Sequence, residues 1–280
     1  MKVYNHLKYS IFLLNYNIIM NYIENYKIIV IVNKQKINEF MNFLNKFYKY
    51  KKKNKNKNKY VSIDFEYHKN KIKLWQVCFY YKKENTIFVI MEKYIDRNNM
   101  NIIIDKLFTS RIIKIFHGGE SLDFPYLFNV IKDPVKIYKF LRYSFDTKFL
   151  CEYYKSFKNE KQKCNIYDAM LYFNVMTKEK YDELEVININ NGPIWKVNWD
   201  NINKNNNLLI YTVYDVIYLK DFLLKMYEIY KSENLREEFY SMQKINIYVI
   251  LKRNNINYKY ELNIKDIHKY KVIPYYKKLI

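Results

Sequence analysis

The order of apolar and polar positions gives the first half of the chain a strand-rich character. A β-branched run over residues 26–32 predicts a strand, and the apolar spacing over residues 34–48 predicts an amphipathic helix. Residues 61–67, 74–81 and 86–90 are apolar stretches separated by polar residues typical of turns. This pattern predicts a three-stranded antiparallel meander.

The second half of the chain combines short strands with helices. Residues 112–116 form a continuous apolar run typical of a strand inside a sheet. Residues 144–145 are expected to close the sheet, with Asp146 as the N-cap of the helix that follows. From residue 165 onward the pattern is helical, with a break at residues 188–193. The order of these elements predicts an α/β fold with a mixed, five-stranded sheet flanked by helices.

Composition adds a strong positive charge to this picture. The 280 residues include 49 Lys and Arg against 28 Asp and Glu, a formal net charge of +21. A field of that sign attracts polyanions such as nucleic acid. The over-use of Lys, Asn, Ile and Tyr, with few Gly and Pro, is equally typical of an AT-rich genome. The charge alone therefore does not decide between a functional surface and codon bias.

The cysteines and the apolar segments bear on the cellular setting. Cys78, Cys151 and Cys164 form no CxxC pair, so neither a zinc site nor a disulfide framework is predicted, and a reducing intracellular compartment is expected. The sequence has no run of about 18 apolar residues, so no membrane-spanning helix is predicted. The apolar stretch at residues 9–20 lacks arginine and a small-residue cleavage site. This favours a short N-terminal extension over a targeting peptide.

Two acidic residues, Asp64 and Glu66, lie within the predicted strand at residues 61–67. Because they are two positions apart in a strand, both carboxylates point to the same face. Neighbouring like charges near a core are unfavourable unless a cation compensates them, and oxygen ligands favour Mg²⁺ or Mn²⁺ over zinc. The pair is a candidate metal site, and a solvated surface pair is the alternative that the pattern leaves open.

Two of the three glycines in the chain, Gly118 and Gly119, stand together after His117. In so Gly-poor a sequence, adjacent glycines indicate either a positive φ or the close approach of another segment. A strand that ends in this turn would bring Asp123, on the following helix, near the strand that carries Asp64. A plain strand-to-helix turn, in which His117 and Asp123 make local hydrogen bonds, explains the same residues equally well.

Tyr211 and Asp215 lie four positions apart in the apolar stretch at residues 208–219. Helical spacing puts both on one face, one turn apart. Because the rest of this helix is apolar, Asp215 is predicted to be a largely buried carboxylate that needs a partner. A core helix with an incidental aspartate is the alternative.

Together, the three segments resemble the DEDD exonuclease superfamily. Asp64 and Glu66 match its first motif, Asp-x-Glu, and Tyr211 and Asp215 match its third, Tyr-x-x-x-Asp. Residues 114–127 resemble the second motif, in which a strand is followed by His-Gly and then by an aspartate with a leucine four residues later.

The third motif assigns the branch within this superfamily. The histidine branch would place His five residues before the last aspartate, where this chain has Ile210. The resemblance is therefore to the tyrosine branch, which includes ribonuclease D and the Werner-type exonucleases.

Two stretches between the motifs add to the resemblance, and two features depart from it. Residues 145–147 resemble the family's Asp-Thr at a helix start, and residues 195–199 occupy the position of its Trp/Arg-rich segment. From His117 to Asp123 there is one residue more than ribonuclease D usually has. The second half of the Trp segment also lacks the usual arginine and proline, which puts family-like substrate contacts there in doubt.

The resemblance implies a ribonuclease H-like fold and a two-metal site for Mg²⁺ or Mn²⁺. Tyr211 is expected to orient the attacking water as a protonated phenol. The carboxylates implied as metal ligands are Asp64, Glu66, Asp123 and Asp215. The terminal nucleotide is expected to lie against the backbone around Phe65, with His117, Gly118 and Gly119 lining the approach.

The implied activity is metal-dependent 3′→5′ hydrolysis at the end of a nucleic acid, single-stranded or with an accessible 3′ end, with RNA slightly favoured over DNA. The alternatives are a non-catalytic nucleic-acid-binding module and a proofreading subunit of a separate polymerase. The predicted organisation is an N-terminal extension at residues 1–25, an exonuclease domain at residues 26–226 and a helical segment at residues 227–280. A solvated Lys/Asn loop is expected at residues 49–59.

Overall fold

The computed structural model describes residues 22–53, 59–81, 84–161, 163–193 and 196–258. The stretch at residues 9–20, most of the predicted Lys/Asn loop (residues 54–58) and the end of the chain (residues 259–280) lie outside these ranges.

Within the described residues, a mixed sheet of seven strands forms the centre, in the order β1-β2-β5-β4-β3-β6-β7. Strands β3, β4 and β5 are antiparallel neighbours, which confirms the predicted meander, whereas β2, β6 and β7 each pair in parallel. The strands are Tyr22–Ile23 (β1), Tyr26–Ile31 (β2), Tyr60–His68 (β3), Lys71–Tyr81 (β4), Glu84–Met91 (β5), Ile113–Phe116 (β6) and Ser144–Asp146 (β7).

The sheet is mixed and flanked by helices as predicted, but the expected number of five strands was wrong. Strand β2 pairs with β5 across an intervening helix and two strands, and the sequence pattern does not reveal that pairing. Strand β1 is only two residues long, too short to produce an alternation. These two strands extend the sheet at the edge opposite β7.

Ten α-helices lie in the part of the chain that the structure describes. They are Lys34–Lys53 (α1), Arg97–Ile103 (α2), Asp123–Ile131 (α3), Pro134–Arg142 (α4), Thr147–Phe157 (α5), Ile166–Tyr172 (α6), Lys178–Asn191 (α7), Asn206–Ile217 (α8), Leu219–Ser232 (α9) and Arg236–Arg253 (α10). Helix α1 is longer than predicted and takes in the start of the expected Lys/Asn loop. Helix α7 runs into the predicted break and ends at Gly192, whose φ is +69°.

The helices bury both faces of the sheet. Helices α1, α3 and α4 cover one face with aromatic residues that include Phe40, Phe124 and Phe140. Helices α5, α6, α8 and α9 cover the other face. Since β3 is buried on both sides, its side chains alternate between two cores, and this alternation decides which face carries the carboxylates.

Helix α10 lies at the β7 edge and contributes apolar residues to both cores. The Gln243 side-chain amide donates to the carbonyls of Arg142 and Ser144, both at 3.3 Å. This contact covers an edge strand whose backbone would otherwise be exposed for pairing. Helix α9 runs through residue 226, and the division of the chain into domains at that position stays a prediction.

A disulfide joins Cys151 in α5 to Cys164 just before α6, with Cα atoms 6.2 Å apart. The expectation that the cysteines form no disulfide was therefore wrong. The two residues are separated by 13 positions, and only the return of the chain after α5 brings them together. The remaining cysteine, Cys78, is free and buried in β4. The disulfide removes the reason given above for expecting a reducing compartment.

Among the residues that the structure describes, no helix combines the length and the apolar character needed to cross a membrane.

Candidate active site

Strand β3 places Asp64 and Glu66 on the face of the sheet that α8 covers. They pair across the strand register with Gln76 and Leu74 of β4. The residue between them, Phe65, points to the opposite core, where its ring packs 5.0 Å from the ring of Trp75. The alternation expected from the sequence thus brings two carboxylates side by side beneath a helix.

Helix α8 supplies the third carboxylate. Asp215 is buried, and one carboxylate oxygen from each of Asp64, Glu66 and Asp215 lies within 4.8 Å of the others. Tyr211, one helical turn earlier, is partly buried and lines a cleft of about 320 Å³ together with Asp215 and Tyr167. Two segments that are about 150 residues apart in sequence thus form one acidic cluster. Of its three carboxylates, Asp215 lines this cleft.

Asp123 is the first residue of α3 and is buried beside this cluster, not within the trio. The Tyr67 hydroxyl donates to Asp123 Oδ1 at 3.2 Å. The charge of Asp64 raises the pKa of Asp123, after the larger effect of burial, so the two carboxylates lie close enough to interact. The predicted neighbourhood of Asp123 and the strand that carries Asp64 is therefore present.

The turn before α3 needs glycine at both positions. Gly118 has a φ of +80°, and its N–H donates to Asp146 Oδ1 at 2.9 Å. A Cβ atom at Gly119 would come within 2.9 Å of the Phe124 ring. Gly118 therefore allows a positive φ, and Gly119 allows the close approach of a neighbouring side chain. These are the two reasons for glycine that the sequence suggested. Asp146 also accepts from the Lys148 N–H at 3.0 Å, so it caps α5 as predicted.

His117 holds this turn to its surroundings through both ring nitrogens. Its Nδ1 lies 2.9 Å from Thr147 Oγ1, and its Nε2 lies 2.9 Å from the Cys164 carbonyl oxygen. Burial lowers the pKa of His117 to about 4, so the ring is neutral at pH 7. Since a carbonyl can only accept, Nε2 carries the proton. With both nitrogens bonded inside the protein, the predicted contact of His117 with substrate stays a prediction.

The electrostatics of the cluster, together with Asp123 beside it, are unfavourable for four separate negative charges. Burial raises the pKa of Asp64 to about 7, and burial also raises the pKa values of Glu66, Asp123 and Asp215. The charge of Asp64 raises the pKa values of the other three further. Two hydrogen bonds lower these pKa values but offset only part of the rise. Gln76 Nε2 donates to Glu66 Oε1 at 3.0 Å, and Tyr167 donates to Asp215.

This donor set fits a hard divalent cation. The oxygens come from carboxylates, converge within a few ångströms and lie where their charge is poorly solvated. A bound cation would reverse the unfavourable electrostatics of the cluster. Oxygen-only coordination suits Mg²⁺ or Mn²⁺ better than zinc, which prefers nitrogen and sulfur ligands.

Tyr211 lies in the field of the same carboxylates. The charge of Asp215 is the largest influence that raises its pKa, followed by burial. The phenol therefore stays protonated near neutral pH and can act as a hydrogen-bond donor.

Two partners of the cluster were missed from the sequence. Gln76 is the polar residue amid the apolar residues 74–79, and that exception could have marked it as a partner of Glu66. Tyr167 donates to Asp215 Oδ1 at 2.8 Å. Nothing in the pattern distinguishes it from the other 31 tyrosines.

The comparison with known proteins supports the fold. No protein-family model matches the chain. An uncharacterized protein of Acanthamoeba polyphaga mimivirus is 30% identical over 215 residues, which cover 69% of this chain and 42% of that protein. The chain thus matches less than half the length of this relative.

Solved structures with low sequence identity share the architecture. The EXO domain of Aedes aegypti Nibbler superimposes with a TM-score of 0.53 at 11% identity, covering 77% of this chain and 95% of that domain. Trypanosoma brucei RNase D in complex with GMP also gives a TM-score of 0.53, at 12% identity and with 88% and 72% of the two chains covered. The chain therefore shares the mixed α/β, ribonuclease H-like fold of these two structures.

Proposed function

We propose that this protein is a metal-dependent 3′→5′ exonuclease that hydrolyses the terminal phosphodiester bond of a nucleic acid. The observation that carries the proposal is the convergence of Asp64, Glu66 and Asp215 within 4.8 Å, in a fold shared with exonuclease domains. Three buried or half-buried carboxylates destabilise a protein unless a cation compensates their charge. Their convergence from two different elements favours a functional site over a structural one.

Asp64, Glu66 and Asp215 would hold the metal, and Asp123 would complete a second position beside Asp64. Two divalent ions, Mg²⁺ or Mn²⁺, would supply a water nucleophile at neutral pH and neutralise charge on the leaving 3′ oxygen. Gln76 keeps Glu66 in place by donating to one of its oxygens.

Tyr211 would orient the attacking water by donating a hydrogen bond from the cleft that it shares with Asp215. The protonated state of its phenol suits this role better than that of a general base. The terminal nucleotide would lie against the backbone around Phe65, with the turn at His117, Gly118 and Gly119 along its approach. Since the His117 ring nitrogens are bonded within the protein, this turn would contact substrate mainly through its backbone.

Single-stranded RNA is the favoured substrate, and DNA is the second candidate. Two Trypanosoma brucei RNase D structures that resemble this chain contain GMP and a U12 RNA, respectively. The formal charge of +21 would favour binding of either polymer.

The test is degradation of RNA and DNA oligonucleotides with a free or a blocked 3′ hydroxyl, in Mg²⁺, Mn²⁺ or EDTA. Asp64→Asn and Asp215→Asn should abolish activity without unfolding the protein. Asp200→Asn is the matched control, because Asp200 is an exposed carboxylate paired with Lys93 outside the cluster. Metal-independent activity, or full activity in Asp64→Asn, would contradict the proposal. Binding without cleavage in all conditions would favour a non-catalytic binding module.

A further inference from the structure

We infer that Tyr167 is a positioning residue that fixes the Asp215 carboxylate for metal binding. The inference deepens the proposed function and rests on it, since it concerns the same acidic cluster. It assigns a role to a side chain that lies outside the three motifs, on helix α6.

The contact itself is short and enclosed. The Tyr167 hydroxyl donates to Asp215 Oδ1 at 2.8 Å, and the Tyr167 side chain is 6% exposed. A carboxylate on a helix has rotational freedom about its side-chain bonds, and one buried donor removes much of it. With Oδ1 bonded to the phenol, the orientation of the whole Asp215 carboxylate relative to Asp64 and Glu66 is restricted. Hydrogen bonds of this kind to ligand side chains commonly change metal affinity by 10- to 100-fold.

Covalent and hydrogen-bond contacts on both sides hold helix α6, which carries Tyr167, in position. Cys164, three residues earlier, is bonded to Cys151 of α5, and its carbonyl oxygen accepts from His117. On the other side, the Tyr181 hydroxyl of α7 donates to Asp168 Oδ1 at 2.8 Å. The position of the phenol relative to Asp215 is therefore set by neighbouring elements, as a positioning role requires.

Tyr167 and Tyr211 line the same cleft but occupy different places relative to Asp215. Tyr211 lies on the same helix as Asp215 and is partly exposed to the cleft, whereas Tyr167 approaches from α6 and is buried. The two phenols are thus expected to act on different steps. Loss of the Tyr167 hydroxyl should weaken metal binding, and loss of the Tyr211 hydroxyl should slow the reaction with metal already bound.

The experiment measures Mn²⁺ binding to the full-length protein by calorimetry and by thermal shift, without substrate. Tyr167→Phe is compared with wild type and with Tyr230→Phe. The control also loses one buried hydroxyl, which donates to the Leu150 carbonyl at 2.9 Å away from the cluster. We expect the Mn²⁺ dissociation constant to rise about tenfold or more in Tyr167→Phe and to stay unchanged in Tyr230→Phe. The Mn²⁺ concentration for half-maximal nuclease activity should rise in parallel, with activity largely restored at saturating Mn²⁺.

The outcomes separate this inference from the proposed function. If wild type binds Mn²⁺ and Tyr167→Phe binds it equally well, Tyr167 is only a packed tyrosine and the inference is overturned while the proposed site stands. If Tyr167→Phe and Tyr230→Phe lose the same amount of affinity, the effect is one of general stability, and the inference is again overturned. If wild type itself binds no divalent ion, the proposed function fails and the inference fails with it.

Discussion

Replacing Asp64 by asparagine should stabilise the metal-free protein and remove its response to metal. Burial raises the pKa of this carboxyl from its ordinary 3.8 to about 7. The folded state therefore holds its proton more tightly than the unfolded state between these two values. Below pH 3.8 the carboxyl is neutral in both states and costs nothing. Between pH 3.8 and about 7 the metal-free protein loses stability progressively, because the unfolded state ionises while the folded state keeps the proton, and above about 7 the loss is complete because folding must then bury the charge.

The size of the effect follows from this pKa. A difference of about three pH units corresponds to on the order of 4 kcal/mol at pH 8, since one unit is about 1.4 kcal/mol. Asparagine removes the charge but leaves an amide in the same partly buried place, at a cost of about 1–3 kcal/mol. A net gain of about 2 kcal/mol is expected, which corresponds to a rise of roughly 5 °C in melting temperature for a chain of this size.

The assay is a thermal melt of wild type and Asp64→Asn in EDTA and in Mg²⁺, at pH 5 and pH 8. In EDTA the variant should melt higher at pH 8, and the difference should shrink at pH 5. Mg²⁺ at a hundredfold excess over its dissociation constant should stabilise wild type by about 2.7 kcal/mol and the variant much less. Asp200→Asn should keep the wild-type response to metal. A variant that melts below wild type in EDTA at pH 8 would show that the Asp64 charge does not destabilise the metal-free fold and that the carboxylates are well solvated.

Two further predictions concern the phenol in the cleft and the disulfide. Tyr211→Phe should lower kcat strongly, as measured by single-turnover kinetics, and leave the Mn²⁺ dissociation constant unchanged, as measured by calorimetry. An unchanged rate would show that the Tyr211 hydroxyl takes no part in the mechanism. Cys151→Ser should destabilise the protein by about 3 kcal/mol, the value expected for a loop of this length, and a reductant should lower the melting temperature of wild type to a similar extent. A wild-type melt that does not respond to reductant would contradict the second prediction.

The local parts of the site could be predicted from the sequence. The spacing of two between Asp64 and Glu66 fixes their common face once the segment is a strand, and the spacing of four does the same for Tyr211 and Asp215 on a helix. The scarcity of glycine made Gly118 and Gly119 informative, and the structure shows a need for both.

The relations between distant segments could not be predicted from patterns alone. The contact between Asp215 and Asp64 was predicted only from the resemblance to a family. Periodicity does not specify which helix covers which strand. The contact of Tyr167 with Asp215, like the Cys151–Cys164 bond, depends on how the chain returns after α5. Such contacts depend on tertiary packing. With 32 tyrosines in the chain, the sequence alone does not single out Tyr167 as the partner of Asp215.

Following 5′-end-labelled single-stranded RNA and DNA over time, with Mg²⁺, with Mn²⁺ and with EDTA, shows whether the protein is a metal-dependent 3′→5′ exonuclease. We expect a ladder of products shortened one nucleotide at a time from the 3′ end, which forms only with metal, faster on RNA, and is absent with Asp64→Asn. A blocked 3′ end should prevent the ladder. Cleavage at internal positions, or shortening that proceeds in EDTA, would show that the protein is not a metal-dependent 3′→5′ exonuclease.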